Sequence, residues 1–228
     1  IKEDHFTRVV RADPKRKGLL YAGTETGMYI SFNDGKSWSP FQFNLPIVPI
    51  TDLTIKGDNL IAATQGRSLW LIDDLTPLHQ LSEEVAESDF YLYKPMPSYR
   101  MDGGYSRKAK TKGQNHPGGV MVSYYLKEVT DSTKVRLEFM DSKGKSIRAF
   151  DTQPNKNKKE VELKEIQQGG NRFVWDMRYP PASDFEGMIL WWASMQGPLA
   201  LAGNYKVKMT VNGESLIREF EMLKDPRA

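Results

Sequence analysis

The run Leu20-Tyr-Ala-Gly-Thr-Glu-Thr-Gly-Met-Tyr-Ile-Ser-Phe-Asn-Asp-Gly-Lys-Ser-Trp38 reads as two short strands joined through Gly27 and followed by a tight turn. Forty residues further on, Leu60-Ile-Ala-Ala-Thr64 aligns with Leu20-Tyr-Ala-Gly-Thr24. Each copy runs through a glycine, Gly27 or Gly66, into a second strand, Met28-Tyr-Ile-Ser31 or Leu69-Trp-Leu-Ile72. Upstream of each lies a further strand, Val9-Val-Arg-Ala12 and Thr51-Asp-Leu-Thr-Ile55. A period near 40 with three or four strands per unit is the pattern of a β-propeller blade, with tandem hairpins of a sandwich as the competing reading.

Within that run, Ser31-Phe-Asn-Asp-Gly-Lys-Ser-Trp38 has a chemistry that explains its spacing. A short polar side chain at Asn33 can bond the backbone of its own turn, Gly35 can take a positive φ, and Trp38 can fold back onto the strands. The motif resembles the Asp-box of BNR-type propellers, with Asn33 where Asp is usual and Asp34 beside it. Turn stabilisation by Ser31, Asn33, Asp34, Gly35 and Trp38 is the favoured reading over ligand or ion binding there.

The resemblance extends along the chain. Asp13-Pro14, Asn44-Leu-Pro46 and Gly66-Arg-Ser-Leu-Trp-Leu-Ile-Asp-Asp-Leu-Thr-Pro-Leu78 look like the closing blades of bacterial sortilin-like (VPS10-like) BNR proteins, often labelled glycosyl hydrolases. Gln65 stands where that family commonly has His before the Gly-Arg pair. Such proteins carry an immunoglobulin-like module after the propeller. Gly170-Asn-Arg-Phe-Val-Trp-Asp-Met-Arg-Tyr-Pro180, Gly187-Met-Ile-Leu-Trp-Trp192, Gly197-Pro-Leu199 and Gly203-Asn-Tyr205 resemble it.

Composition narrows the function classes. With 32 Lys plus Arg against 29 Asp plus Glu, the net charge of +3 lacks the basic excess of a nucleic-acid binder. At 39% hydrophobic and 27% charged the chain is a folding one, and its apolar runs fall short of the ~20 residues of a membrane-spanning helix. The absence of cysteine removes thiol catalysis, thiolate metal sites and disulfides. The opening Ile1-Lys-Glu-Asp-His-Phe6 has no initiator Met, basic region or apolar signal core, so a cut inside a longer chain is expected.

The second part is also strand-rich, with strands expected at Val120–Tyr125, Val135–Met140, Ser146–Phe150, Glu160–Leu163, Asn171–Met177, Tyr205–Val211 and Leu216–Leu223. Asn212-Gly213 between two alternating arms predicts a two-residue type I′ hairpin. Trp175 reads as a core anchor and Tyr205 as a corner tyrosine whose hydroxyl finds a backbone acceptor. One short helix is expected at Ser82–Glu87, capped by Ser82. Pro95 and Pro97 mark a linker or edge segment.

Candidate chemistry is sparse. His5, His79 and His116 lie far apart, with no metal or triad spacing, and read as surface or capping residues. Glycoside hydrolysis needs two carboxyl groups facing across a sugar. Asp73 and Asp74 are strand neighbours that point to opposite faces, while Asp52 and Asp58 have no partner visible in sequence. Arg67 offers either recognition of an anionic ligand or, as the favoured alternative, an ion pair with Asp73 or Glu25. Trp191 and Trp192 sit in the long segment Tyr179–Leu199. They could stack on sugar rings, but burial against the sandwich or the propeller is favoured. Arg100, Arg107, Lys108, Lys110 and Lys112, with Tyr99 and Tyr105 among them, and Lys156, Lys158 and Lys159 read as solvated loops.

The resulting expectation is an all-β chain: a partial β-propeller of about two blades over residues 1–78, a linker with a short helix over 79–98, and an immunoglobulin-like β-sandwich over 99–228. The resemblance implies a secreted or periplasmic, non-catalytic structural or binding portion without cofactor or metal. Its expected partners are the rest of a parent propeller and a glycan or peptide, with self-association through exposed blade edges. The rival is an accessory part of a glycoside hydrolase whose catalytic carboxylates lie elsewhere.

Overall fold

A computed structural model describes all residues except 2, 3, 102–112, 114, 156–159, 184 and 228. Of the basic loop residues, Arg107, Lys108, Lys110, Lys112, Lys156, Lys158 and Lys159, with Tyr105, lie outside the described residues. The chain is all-β, with 43% strand and 5% helix. It divides into two units, Ile1–Gln80 and Leu81–Ala228.

The first unit holds two antiparallel sheets. β1 (Thr7–Ala12), β2 (Leu20–Thr24), β3 (Gly27–Ser31) and β4 (Ser39–Pro40) pair in chain order. β5 (Ile50–Lys56), β6 (Asn59–Thr64) and β7 (Leu69–Ile72) form a three-stranded sheet in the same order. The alternation of apolar residues gives each sheet a face that can be buried. Val9, Tyr21, Met28 and Ile30 of the first sheet share one core with Ile50, Leu53, Leu60 and Ala62 of the second. Contact is close at Gly23, where a Cβ would lie 2.6 Å from Ile50 Cγ2 and 2.9 Å from Val9 Cγ1. A larger side chain there would force the two sheets apart. The unit closes with α1 (Thr76–Gln80), a helix in addition to the one expected from sequence. Asp74 Oδ1 accepts from both Thr76 N–H and Thr76 Oγ1–H, which secures the start of this helix.

The second unit begins with α2 (Glu83–Glu87), whose first turn is capped by Ser82 Oγ accepting from Val85 N–H. Its strands are β8 (Phe90–Leu92), β9 (Ser98–Tyr99), β10 (Val120–Leu126), β11 (Val135–Asp141), β12 (Ser146–Asp151), β13 (Val161–Glu162), β14 (Gly169–Trp175), β15 (Gly203–Val211) and β16 (Glu214–Leu223). They make a three-stranded sheet β14-β10-β8 and a six-stranded sheet β13-β12-β11-β15-β16-β9. The stretch read as a linker thus supplies two strands: β8 pairs with β10, and β9 runs parallel to β16. Pro95 and Pro97 fall between those strands, where no ladder hydrogen bond is lost.

Both sheets feed one core, with Leu92, Val122, Tyr124 and Trp175 from one and Leu137, Phe139, Val207 and Met209 from the other. Trp175 is fully buried and stacks on Phe139 at 4.6 Å. The β15–β16 turn has positive φ at Asn212 (49°) and Gly213 (101°), with Val211 paired to Glu214. That is the backbone a two-residue primed turn requires. Tyr205 Oη donates to Leu201 O at 2.7 Å.

Candidate functional site

The turn after β3 is held by its own side chains. Ser31 Oγ accepts from Gly35 N–H at 3.0 Å and donates to Asn33 Oδ1 at 3.1 Å. Asn33 Oδ1 also accepts from Ser37 N–H at 2.8 Å, while Asn33 Nδ2 donates to Ser37 Oγ at 2.8 Å. Asp34 (φ 59°) and Gly35 (φ 83°) are both left-handed, and Asp34 N–H donates to Gly18 O at 2.9 Å. The Trp38 ring lies 3.7 Å from the place a Gly35 Cβ would take. The side-chain polar atoms of Asn33 are thus spent inside the turn, and the exposed Asp34 and Lys36 are the charged groups the turn shows to solvent.

A polar cluster that the sequence does not announce lies at one end of the two sheets. Asp13, just beyond β1, has a fully buried carboxylate. Its Oδ1 accepts from Lys15 N–H at 2.8 Å and Arg16 N–H at 3.0 Å. Its Oδ2 accepts from Tyr21 Oη–H at 3.1 Å and meets His79 Nε2 of α1 at 2.9 Å. His79 Nδ1 faces Asp58 Oδ1 at 3.6 Å, and Asp58 is held by Lys15 Nζ at 2.7 Å. Burial pushes the Asp13 carboxyl upward, but the His79 bond and the two backbone N–H groups outweigh it, leaving it below its ordinary value. Burial, with Asp13 beside it, pushes the Tyr21 phenol well up. His79 thus ties α1 to the buried Asp13 carboxylate through Nε2, while Nδ1 stands 3.6 Å from Asp58, beyond hydrogen-bond reach.

The carboxylates without a sequence partner are accounted for in the same way. Asp52 Oδ1 accepts from Arg11 at 2.6 Å, and Arg11 Nε donates to Leu53 O at 2.9 Å. The ion pair expected for Arg67 is absent among the described residues: Arg67 is exposed, and Glu25 is bonded to Arg8. The Arg67 backbone carbonyl instead accepts from Trp70 Nε1–H at 2.9 Å.

In the second unit, residues 177–183 and 195–200 form the arms of an irregular ribbon. Its arms are joined by Ala200 N–H to Met177 O, Tyr179 N–H to Pro198 O and Ala182 N–H to Met195 O. Arg178 adds a guanidinium bond to Gly197 O at 2.9 Å. At the tip, Trp191 is 84% and Trp192 95% exposed, with Ile189 at 90%. The burial expected for the two tryptophans is not observed: the arms use their hydrogen bonds on each other and leave the tip outside the core.

Below the ribbon, Arg148 binds Asp176 through both carboxylate oxygens at 3.1 Å, and its guanidinium lies 5.1 Å over the Phe150 ring. Nearby Arg136 pairs with Glu160, Glu138 and Asp151. The two arginines face four carboxylates, so this patch has an acidic excess and no cationic surplus to draw an anion. Among the described residues, no three His, Cys, Asp or Glu side chains group as a metal site. No helix among them is long and apolar enough to cross a membrane. No protein family, curated protein or solved structure matches this chain.

Proposed function

We propose that this chain is the C-terminal portion of a secreted or periplasmic sortilin-like (VPS10-like) BNR propeller protein, two blades followed by an immunoglobulin-like module. Its role is structural and ligand-presenting rather than catalytic. The observation that carries the reading is the repeat. β1-β2-β3 and β5-β6-β7 have the same antiparallel order, Leu20 and Leu60 of their central strands occupy equivalent places 40 residues apart in sequence, and the sheets stack through a shared core. Stacked meanders of that period are how propeller blades bury their faces. The self-satisfied turn at Ser31–Trp38 adds the expected Asp-box chemistry. Asp52, Asp58 and Asp13 are engaged by Arg11, Lys15 and His79, so none of the three is presented as an acid or base facing a sugar. Exposed Trp191 and Trp192 are the aromatic faces available to a glycan or peptide.

The test is a glycan panel assayed for both binding and hydrolysis, using this chain and the full-length polypeptide its gene encodes. Binding without turnover by this chain is expected. Turnover by this chain alone overturns the non-catalytic reading. Turnover confined to the longer polypeptide makes this chain an accessory part of a glycoside hydrolase.

A further inference from the structure

Strand register makes the two sheets of the first unit comparable residue by residue. In the first, Gly23 pairs with Met28 and Tyr21 with Ile30; in the second, Ala63 pairs with Leu69 and Ile61 with Leu71. Because strand side chains alternate, Tyr21, Gly23, Met28 and Ile30 share one face, and Ile61, Ala63, Leu69 and Leu71 share the corresponding face of the second sheet. In the first sheet that face is closed, with Tyr21 at 0% exposure and Met28 and Ile30 each at 4%. What closes it is the opposite face of the second sheet, carrying Leu53, Leu60 and Ala62 with Trp70 and Ile72 packed beside them. The face bearing Leu69 and Leu71 is left open, at 70% and 54% exposure. The adjacent strand edge is open as well. β3 is covered by β4, whereas β7 ends its sheet, and among the described residues no further strand pairs with it. An apolar face beside an unpaired edge is what sheets normally cover or charge.

We infer that the outer face of β5-β6-β7 is a docking surface for another β-sheet of the same repeat. That sheet lays its own equivalents of Leu53, Leu60 and Ala62 over Leu69 and Leu71, as β5-β6-β7 lays them over Met28 and Ile30. A second copy of this chain cannot supply that face, since its Leu53, Leu60 and Ala62 are already covered by its own first sheet. The inference rests on the propeller reading and specifies which face of this chain the rest of the propeller occupies.

The absence of cysteine provides a clean readout. Leu69→Cys is introduced into the 228-residue chain and into the full-length polypeptide, and the rate of maleimide labelling is measured in each. Met28→Cys serves as the closed-face control, and circular dichroism checks folding. The expected result is rapid labelling of Leu69→Cys in the 228-residue chain and at least tenfold slower labelling in the full-length polypeptide, with Met28→Cys slow in both. Equally rapid labelling in both overturns the inference. Protection in the shorter chain that disappears on dilution, with a doubled mass by light scattering, makes the occupant a second copy and also overturns it. Protection at all dilutions means that the chain covers its own face, and the inference falls in that case too. The propeller reading fails separately, if the full-length sequence carries no further copies of the 40-residue unit.

Discussion

The two sheets of the first unit are built on the same hairpin, yet equivalent residues meet opposite fates. Met28 and Ile30 lie in a core, while Leu69 and Leu71 face solvent. Local sequence does not account for this, because all four are large apolar residues on β strands that pair antiparallel with the strand before them. The difference is supplied by the neighbour: the first sheet has another sheet on that side, and the second has none among the described residues. In a repeat fold a strand's burial belongs to the interface between units and not to the unit.

The strongest attempt to break this comparison is a pair of truncations. Ile30→Ala is expected to destabilise the first unit by about 2–5 kcal/mol, as for other buried large-to-small changes. Leu71→Ala should stay within about 0.5 kcal/mol, as exposed substitutions do. Urea denaturation of both variants decides it, and equal losses would mean that the outer face is not open.

The polar end of the sheet pair comes next. Asp13 is held below its ordinary value, so the unfolded chain binds that proton more readily than the folded one. Its contribution is present above the ordinary carboxylate value near pH 4 and is lost as pH falls through the lower folded value. Asp13→Asn should cost about 2 kcal/mol at pH 7 through lost charge-assisted bonds. It should also flatten the acid limb of a stability profile taken from pH 7 to 2; an unchanged limb would assign acid sensitivity to other groups.

A third pair sharpens the packing difference. Gly23→Ala places a methyl against Ile50 and Val9 and should cost about 1–3 kcal/mol. The reverse change at the equivalent position, Ala63→Gly, removes a methyl from the open face and should cost under about 1 kcal/mol. Smallest of all is Asn33→Asp, expected within about 0.5 kcal/mol in thermal melts, because a carboxylate can still accept from Ser37 N–H and Ser37 Oγ–H. A large loss there would show that Asn33 does more than hold its turn.

Much of the strand pattern was legible because alternation and turn chemistry are local. The Asn212-Gly213 hairpin, the Ser82 cap and the burial of Trp175 follow from residues close together in sequence. What was not legible depends on distant partners. β8 and β9 are two or three residues long and exist through pairing with β10 and β16, so the prolines between them read as a linker. α1 has five residues, as α2 does, but its first turn lacks the acidic residues that follow the Ser82 cap of α2. The cluster of Asp13, Asp58 and His79 draws on a loop, a hairpin turn and a helix, and three isolated residues give no spacing to read. Burial of Trp191 and Trp192 was expected from their apolarity, whereas the ribbon satisfies its backbone at the arms and holds the tip outside.

That ribbon also gives the second unit a built-in optical contrast. Trp175 sits in an apolar, fully buried environment, whereas Trp191 and Trp192 emit from water. With Trp38 and Trp70 of the first unit replaced by Phe, collisional quenchers reach the tip pair while sparing the core indole, so one fluorescence titration separates events at the ribbon from loss of the core. Anything that settles on the tip should blue-shift and shield one population of emitters while the other stays unchanged.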